Sequence, residues 1–158
     1  MTKQIIDLDL IEMDCEVENK EEILQKLSDL LIKKGKVKDS FKEAVLEREK
    51  TFPTGLKTRF ISFALPHTDP EHVNETGVAV GVLKDRVKFS SMDNADNKID
   101  VSIVVTLAVK DKSKQVLVLQ NLIEMMQDKD ITNRLLKSRS KEKILEIFEE
   151  RLFQERTN

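Results

Sequence analysis

Val101-Ser102-Ile103-Val104-Val105-Thr106-Leu107-Ala108-Val109 is the longest strongly apolar run in the chain. It is far shorter than the ~20 residues a membrane-spanning helix needs. It is rich in β-branched residues and does not alternate, which predicts a central strand buried on both faces. Two further stretches of strand character precede it. Arg59 to Leu65 carries Phe60, Ile61, Phe63 and Leu65 and stops at Pro66. Val78 to Leu83 reads as another strand, with Arg86 to Phe89 as a short extension. Near the start, Ile11, Met13, Cys15 and Val17 alternate with acids and predict a half-buried strand with Cys15 on its apolar face.

Helical periodicity brackets these strands on both sides. Asn19-Lys20-Glu21-Glu22 fits a capping box. Ile23, Leu24, Leu27, Leu30 and Leu31 then form one stripe, and Gly35 suits a left-handed cap. Asp39 or Ser40 starts a second helix with Phe41, Ala44 and Val45 inward; it runs out near Glu47-Arg48-Glu49-Lys50, before the break at Pro53-Thr54-Gly55. After the central strand, Val116, Leu119, Leu122, Ile123 and Met126 stripe one helix. Ile131, Leu135 and Leu136 stripe a short one, and Ser140 caps a last helix with Ile144, Leu145, Phe148 and Leu152 inward. Helices before and after a run of strands predict an α/β sandwich. At 158 residues this is one domain, 1–158, with its core at about 11–152.

Composition narrows the function. Lys+Arg 27 against Asp+Glu 29 gives a net charge of -2, so no global field favours nucleic acid or an anionic membrane. With no Trp and no Tyr, aromatic platforms for single strands are nearly excluded. Only 4 glycines and 3 prolines argue against disorder and against Gly-rich phosphate loops. The single cysteine, Cys15, permits no internal disulfide and no cysteine-based zinc site. The expected setting is the cytoplasm, with no signal-peptide h-region and no membrane insertion.

Both histidines fall in Leu65-Pro66-His67-Thr68-Asp69-Pro70-Glu71-His72. Pro66 and Pro70 stiffen a loop that follows a buried strand, a good mount for a reactive side chain. Three chemistries are open to His67. Asp69, Glu71 and His72 could join it around a metal, although Pro70 prevents a helix that would align them. Asp69 could orient its ring as a general base, although no Gly-x-Ser-x-Gly elbow presents a nucleophile. The imidazole could itself be the nucleophile, attacking phosphorus to give a labile P–N bond. That third chemistry asks mainly for position and cationic stabilisation, and both donor and acceptor can be other proteins.

At these residues the chain resembles the enzyme IIA component of the sugar phosphotransferase system, in the fructose–mannitol superfamily. Leu65-Pro66-His67-Thr68-Asp69 with Glu71-His72-Val73 looks most like the galactitol-specific branch. Glu47-Arg48-Glu49 before the loop and Leu119-x-x-Leu122 near the end match in order and spacing, and the resemblance runs from about Ile11 to Leu152. It implies a mixed central sheet with helices on both faces. It implies that His67 accepts a phosphoryl group from phospho-HPr and passes it to a cysteine of a cognate enzyme IIB, with no cofactor and no metal. Association with a membrane permease complex is compatible with this role. Arg48 would lie near His67 and balance phosphate charge; the alternative is local pairing with Glu47 or Glu49. The second histidine of the mannitol and fructose relatives corresponds here to Gln115, which cannot titrate, and the glycine often found before the loop corresponds roughly to Ser62. Phe63 or Leu65, Val73, Arg48 and Gln115 are the expected docking patch. The alternative function is a regulatory module whose phosphorylation state another protein reads.

Overall fold

The computed structural model describes residues 5–152. The chain forms β1 (Ile11–Cys15), α1 (Lys20–Lys33), α2 (Ser40–Thr51), β2 (Gly55–Lys57), β3 (Ser62–Ala64), β4 (Gly77–Ser90), β5 (Lys98–Ala108), α3 (Lys112–Met126), α4 (Lys129–Lys137) and α5 (Lys141–Arg151). Short 3-10 turns at Leu8–Leu10 and Pro70–His72 punctuate it. The sheet order is β1-β4-β5-β3-β2. β1 runs parallel to β4 and β3 parallel to β5, while the β4–β5 and β2–β3 pairs are antiparallel. The α/β sandwich expected from the pattern, and the mixed sheet that the resemblance implies, are therefore present, with β5 in the middle of the sheet.

Each face of β5 feeds a different core. Ile103, Val105 and Leu107 join Leu122, Met125, Ile144 and Phe148 of α3 and α5. Val101, Val104 and Ala108 join Ile23, Leu27 and Leu31 of α1 and Phe41 and Val45 of α2. That double burial is why the run at Val101–Val109 shows no polar alternation. The local helix signals hold as well. The Asn19 side chain accepts the Glu22 N–H at 3.0 Å, and Gly35 takes a φ of 74° after α1.

Four expectations change. β1 does not keep one face: Ile11 enters the α3–α5 core, whereas Cys15 enters the α1–α2 core. The cause is an irregularity in its pairing with β4 between Glu12 and Cys15, where Asp14 has a φ of 51°. The strand predicted over 59–65 shrinks to Ser62–Ala64. The Thr58 hydroxyl donates to the Ile61 carbonyl at 2.7 Å and accepts the Ile61 N–H at 3.1 Å, building a tight turn in its place. The Pro53-Thr54-Gly55 break leads at once into β2, a strand the pattern concealed. A Cβ on Gly55 would sit 2.6 Å from the Ser90 carbonyl oxygen, so only glycine fits that approach. The segments at 78–83 and 86–89 form one strand, β4, irregular between Val82 and Val87, in keeping with the second as an extension of the first. On the late helices Val116 and Leu136 face solvent, and Val118 and Met125 take the inward places in α3.

Candidate functional site

β3 and β5 run in the same direction, so their C-terminal ends share one edge of the sheet. The backbone continues past β3 to place His67 beside Leu107, with the Leu107 N–H donating to the Pro66 carbonyl at 2.9 Å. The half-buried His67 ring turns back on its own strand: Nδ1 lies 2.7 Å from the Leu65 carbonyl oxygen. A carbonyl can only accept, so Nδ1 carries the proton of the neutral ring and Nε2 keeps its lone pair. Burial pushes the His67 pKa below its usual 6.5; the Leu65 carbonyl and Asp69 act in the opposite sense, and the Arg48 charge adds to the lowering. The ring is thus biased toward the neutral, nucleophilic form.

The loop beyond His67 is fastened from several sides. The Val73 N–H donates to the Pro70 carbonyl at 2.9 Å, closing the 3-10 turn that Pro70 begins. Lys38 Nζ donates to the Glu71 carbonyl at 2.8 Å and Lys110 Nζ to the Val73 carbonyl at 2.9 Å. His72 belongs to this scaffolding: its Nδ1 pairs with the Ser40 hydroxyl at 2.8 Å, at the start of α2.

Arg48 sits in the last turn of α2, its guanidinium 5.0 Å from the centroid of the Phe52 ring. Local pairing is not what holds it. Glu47 faces Lys50 at 3.6 Å, and both oxygens of Glu49 are taken by Thr54. Arg48 Nε is buried and makes no hydrogen bond among the described residues, and its charge is felt at the His67 ring. A cation seated on an aromatic face, with no anion paired to it among the described residues, beside a nucleophilic imidazole is suited to receive a phosphoryl group.

The other sequence-derived candidates fare differently. Asp69 does not orient the ring, since the Leu65 carbonyl does; it contributes only its field. Among the described residues no three His, Cys, Asp or Glu side chains converge as a metal site. Gln115 is half-buried in the first turn of α3, and among the described residues it makes no hydrogen bond to His67. Phe63, Leu65 and Val73 are each 0% exposed, so they are core residues and offer a partner nothing. The most exposed large apolar side chains among the described residues are instead Phe52, at 58%, and Val116, at 55%. Phe52 was readable as an aromatic four residues after Arg48. The Ser62 side chain is half-exposed, so no close backbone approach demands a glycine there. Cys15 is buried, and burial foremost, then Glu12, raises its thiol pKa, which makes it a poor nucleophile.

Residues 4–151 match the family described as the phosphoenolpyruvate-dependent sugar phosphotransferase system, EIIA 2. The chain belongs to this family. This EIIA domain is 29% identical over 118 residues to the galactitol-specific EIIA component of Escherichia coli K12, covering 75% of this chain and 78% of that one. Its fold superposes on the Escherichia coli mannitol enzyme IIA, solved in complex with phosphorylated enzyme IIB. There the TM-score is 0.75 and the identity 26%, over 92% of this chain and 99% of that one. The nitrogen regulatory protein IIA-Ntr of Neisseria meningitidis also matches, with a TM-score of 0.72 and 26% identity over 90% and 95%. EIIA domains of this system take phosphoryl groups that come from HPr and relay them to enzyme IIB. This EIIA domain is accordingly a phosphotransferase of the phosphocarrier type. No helix among its described residues is long and apolar enough to cross a membrane.

Proposed function

We propose that His67 is the phosphoryl acceptor of this EIIA domain and that Nε2 is the atom that bonds phosphorus. The observation that supports this most directly is the 2.7 Å bond from Nδ1 to the Leu65 carbonyl, which leaves the lone pair on the other nitrogen. In the loading step the Nε2 lone pair attacks phosphorus on phospho-HPr. The donor's P–N bond breaks, and its electron pair returns to the donor nitrogen. The His67 ring gains cationic character while its Nδ1–H stays on Leu65. In the unloading step the thiolate of a cysteine on enzyme IIB attacks the same phosphorus, and the P–Nε2 bond breaks with its pair returning to the ring. Arg48 balances charge on the phosphoryl oxygens in both steps. Gln115, a neutral amide at the start of α3, has the smaller part. The relay requires no metal or other cofactor. It runs in the cytoplasm, in one EIIA domain spanning 1–158, and can dock on a membrane permease complex.

Galactitol is the proposed sugar, supported by the likeness to the galactitol-specific component and by a glutamine, which does not titrate, at Gln115. The likeness to IIA-Ntr favours one second reading, a module whose phosphorylation state is read by a regulatory partner. The test is incubation with phosphoenolpyruvate, enzyme I and HPr, followed by intact mass. One phosphoryl group is expected, lost in acid and kept in alkali. Its persistence in His67→Gln would refute the assignment.

A further inference from the structure

Glu49 is a buried carboxylate that the transfer steps above leave unused. It is 3% exposed, in the last turn of α2, where the helix dipole disfavours an anion. Burial raises its pKa above the usual 4.5, while hydrogen bonds from Thr54 and the field of Lys20, on α1, oppose that rise. Its contacts show what it is attached to. Oε2 accepts the Thr54 N–H and Oε1 accepts the Thr54 hydroxyl, each at 2.8 Å. Two oxygens that both accept are the pattern of an ionised carboxylate. The Thr54 hydroxyl, having given its proton to Glu49, accepts the Leu65 N–H at 3.2 Å, which also reaches the Thr54 carbonyl at 3.3 Å. The carbonyl of that same Leu65 holds His67 Nδ1.

We infer that Glu49 and Thr54 are positioning residues for His67, acting by fixing the Leu65 backbone: the carboxylate holds the Thr54 hydroxyl, the hydroxyl holds the Leu65 N–H, and the Leu65 carbonyl, across the same Cα, holds the ring. The carboxylate orients the Thr54 hydroxyl with its proton toward Glu49, so that the hydroxyl oxygen faces the Leu65 N–H as an acceptor. Leu65 is thereby held on its N–H side, and the direction of its carbonyl, the seat of Nδ1–H, is fixed. Two consequences follow for phosphoryl transfer. The tautomer with its lone pair on Nε2 is held before attack. The cationic character that the ring gains on phosphorylation meets a carbonyl oxygen already held against Nδ1. The other charges acting on the ring, Arg48 and Asp69, lie outside these contacts. The inference rests on His67 being the phosphoryl acceptor, but its first observable belongs to the unphosphorylated protein.

The experiment combines two-bond proton–nitrogen correlation spectra of the His67 ring with the rate of phosphoryl transfer from phospho-HPr. Wild type, Thr54→Val, Thr54→Ser, Glu49→Gln and His67→Gln are compared, with melting temperatures recorded. Wild type is expected as the Nδ1–H tautomer. Thr54→Val keeps the volume, loses the hydroxyl and should give mixed tautomers and about tenfold slower transfer. Thr54→Ser should restore both, and Glu49→Gln should fall between. Wild-type His67 with its proton on Nε2 overturns the inference, whether or not any variant folds. So do Thr54→Val and Glu49→Gln proteins with wild-type tautomer and rate and only a lower melting temperature, which would make the pair a structural staple. Phosphoryl acceptance by His67→Gln would instead remove the functional reading while leaving the tautomer result intact.

Discussion

The end of β3 and the 3-10 turn that follows it each hold one histidine, and the two rings are held in different ways. His67 rests its Nδ1 on the carbonyl of Leu65, from its own strand, and among the described residues no hydrogen bond engages its Nε2. His72 rests its Nδ1 on Ser40, from α2, and its Nε2 lies 3.6 Å from the Glu71 carboxylate. Among the described residues one ring is anchored at a single nitrogen with no bond at the other; the second ties a loop to a helix through Nδ1 and has a carboxylate of its own loop near Nε2. The field differs as well. His67 lies within reach of the Arg48 charge, a cation with no ion-pair partner among the described residues, whereas the Glu71 carboxylate stands 3.6 Å from the His72 ring. A nucleophile toward phosphorus needs the first arrangement, because an anion beside the ring would repel the incoming phosphoryl oxygens.

The largest effect that could break this contrast is an exchange of roles. His67→Gln should abolish phosphorylation. His72→Gln should keep it and cost about 1 kcal/mol of stability through the lost Ser40 bond. Transfer kinetics and thermal melts on the pair check both halves. Next comes the cation. Arg48→Ala should slow transfer by more than tenfold, about 1.4 kcal/mol in the barrier. The melting temperature should scarcely move, because among the described residues the guanidinium rests on the Phe52 ring and has no ion-pair partner. Gln115→Ala should slow transfer less. An Arg48→Ala protein that unfolds would make that residue structural.

The smallest effect concerns pH. Burial lowers the His67 pKa below 6.5, so the folded ring stays neutral at pH values where the unfolded ring has already gained a proton. The unfolded state then binds more protons, and the stability this ring contributes is present above pH 6.5 and lost as pH falls through the lowered folded value. Denaturant melts across that window should show the loss in wild type and not in His67→Gln. In ring titrations by NMR, Arg48→Ala should move the pKa back upward, since Arg48 contributes to lowering it.

What could be read in the sequence was local. The Asn19 cap, the stripe of α1, the Gly35 turn and the doubly buried β5 depend on near neighbours or on one unbroken run, and all are present. The face of β1 was not readable, because its irregularity at Asp14 is a feature of pairing with β4, far along the chain. In α3, Val116, Leu117, Val118 and Leu119 are apolar in succession, so periodicity could not choose the inward side. The site divides in the same way. His67 stood out by its prolines, and Arg48 by its place in a matching motif. Phe52 as a seat for Arg48 was legible in the i, i+4 spacing, whereas Glu49 and Thr54 behind Leu65 are contacts made when α2, β2 and β3 come together. The one available hint was an acid placed against the dipole at a helix C-terminus.

The central claim is that Nε2 of His67 carries the phosphoryl group while Nδ1 keeps its proton on Leu65. One-bond nitrogen–phosphorus coupling, measured on 15N-labelled protein after phosphorylation by phosphoenolpyruvate, enzyme I and HPr, reads the bonded atom directly. The account predicts coupling to His67 Nε2, with the Nδ1 proton still present in the same spectrum. Coupling to Nδ1, or phosphorus on any other residue, would contradict it.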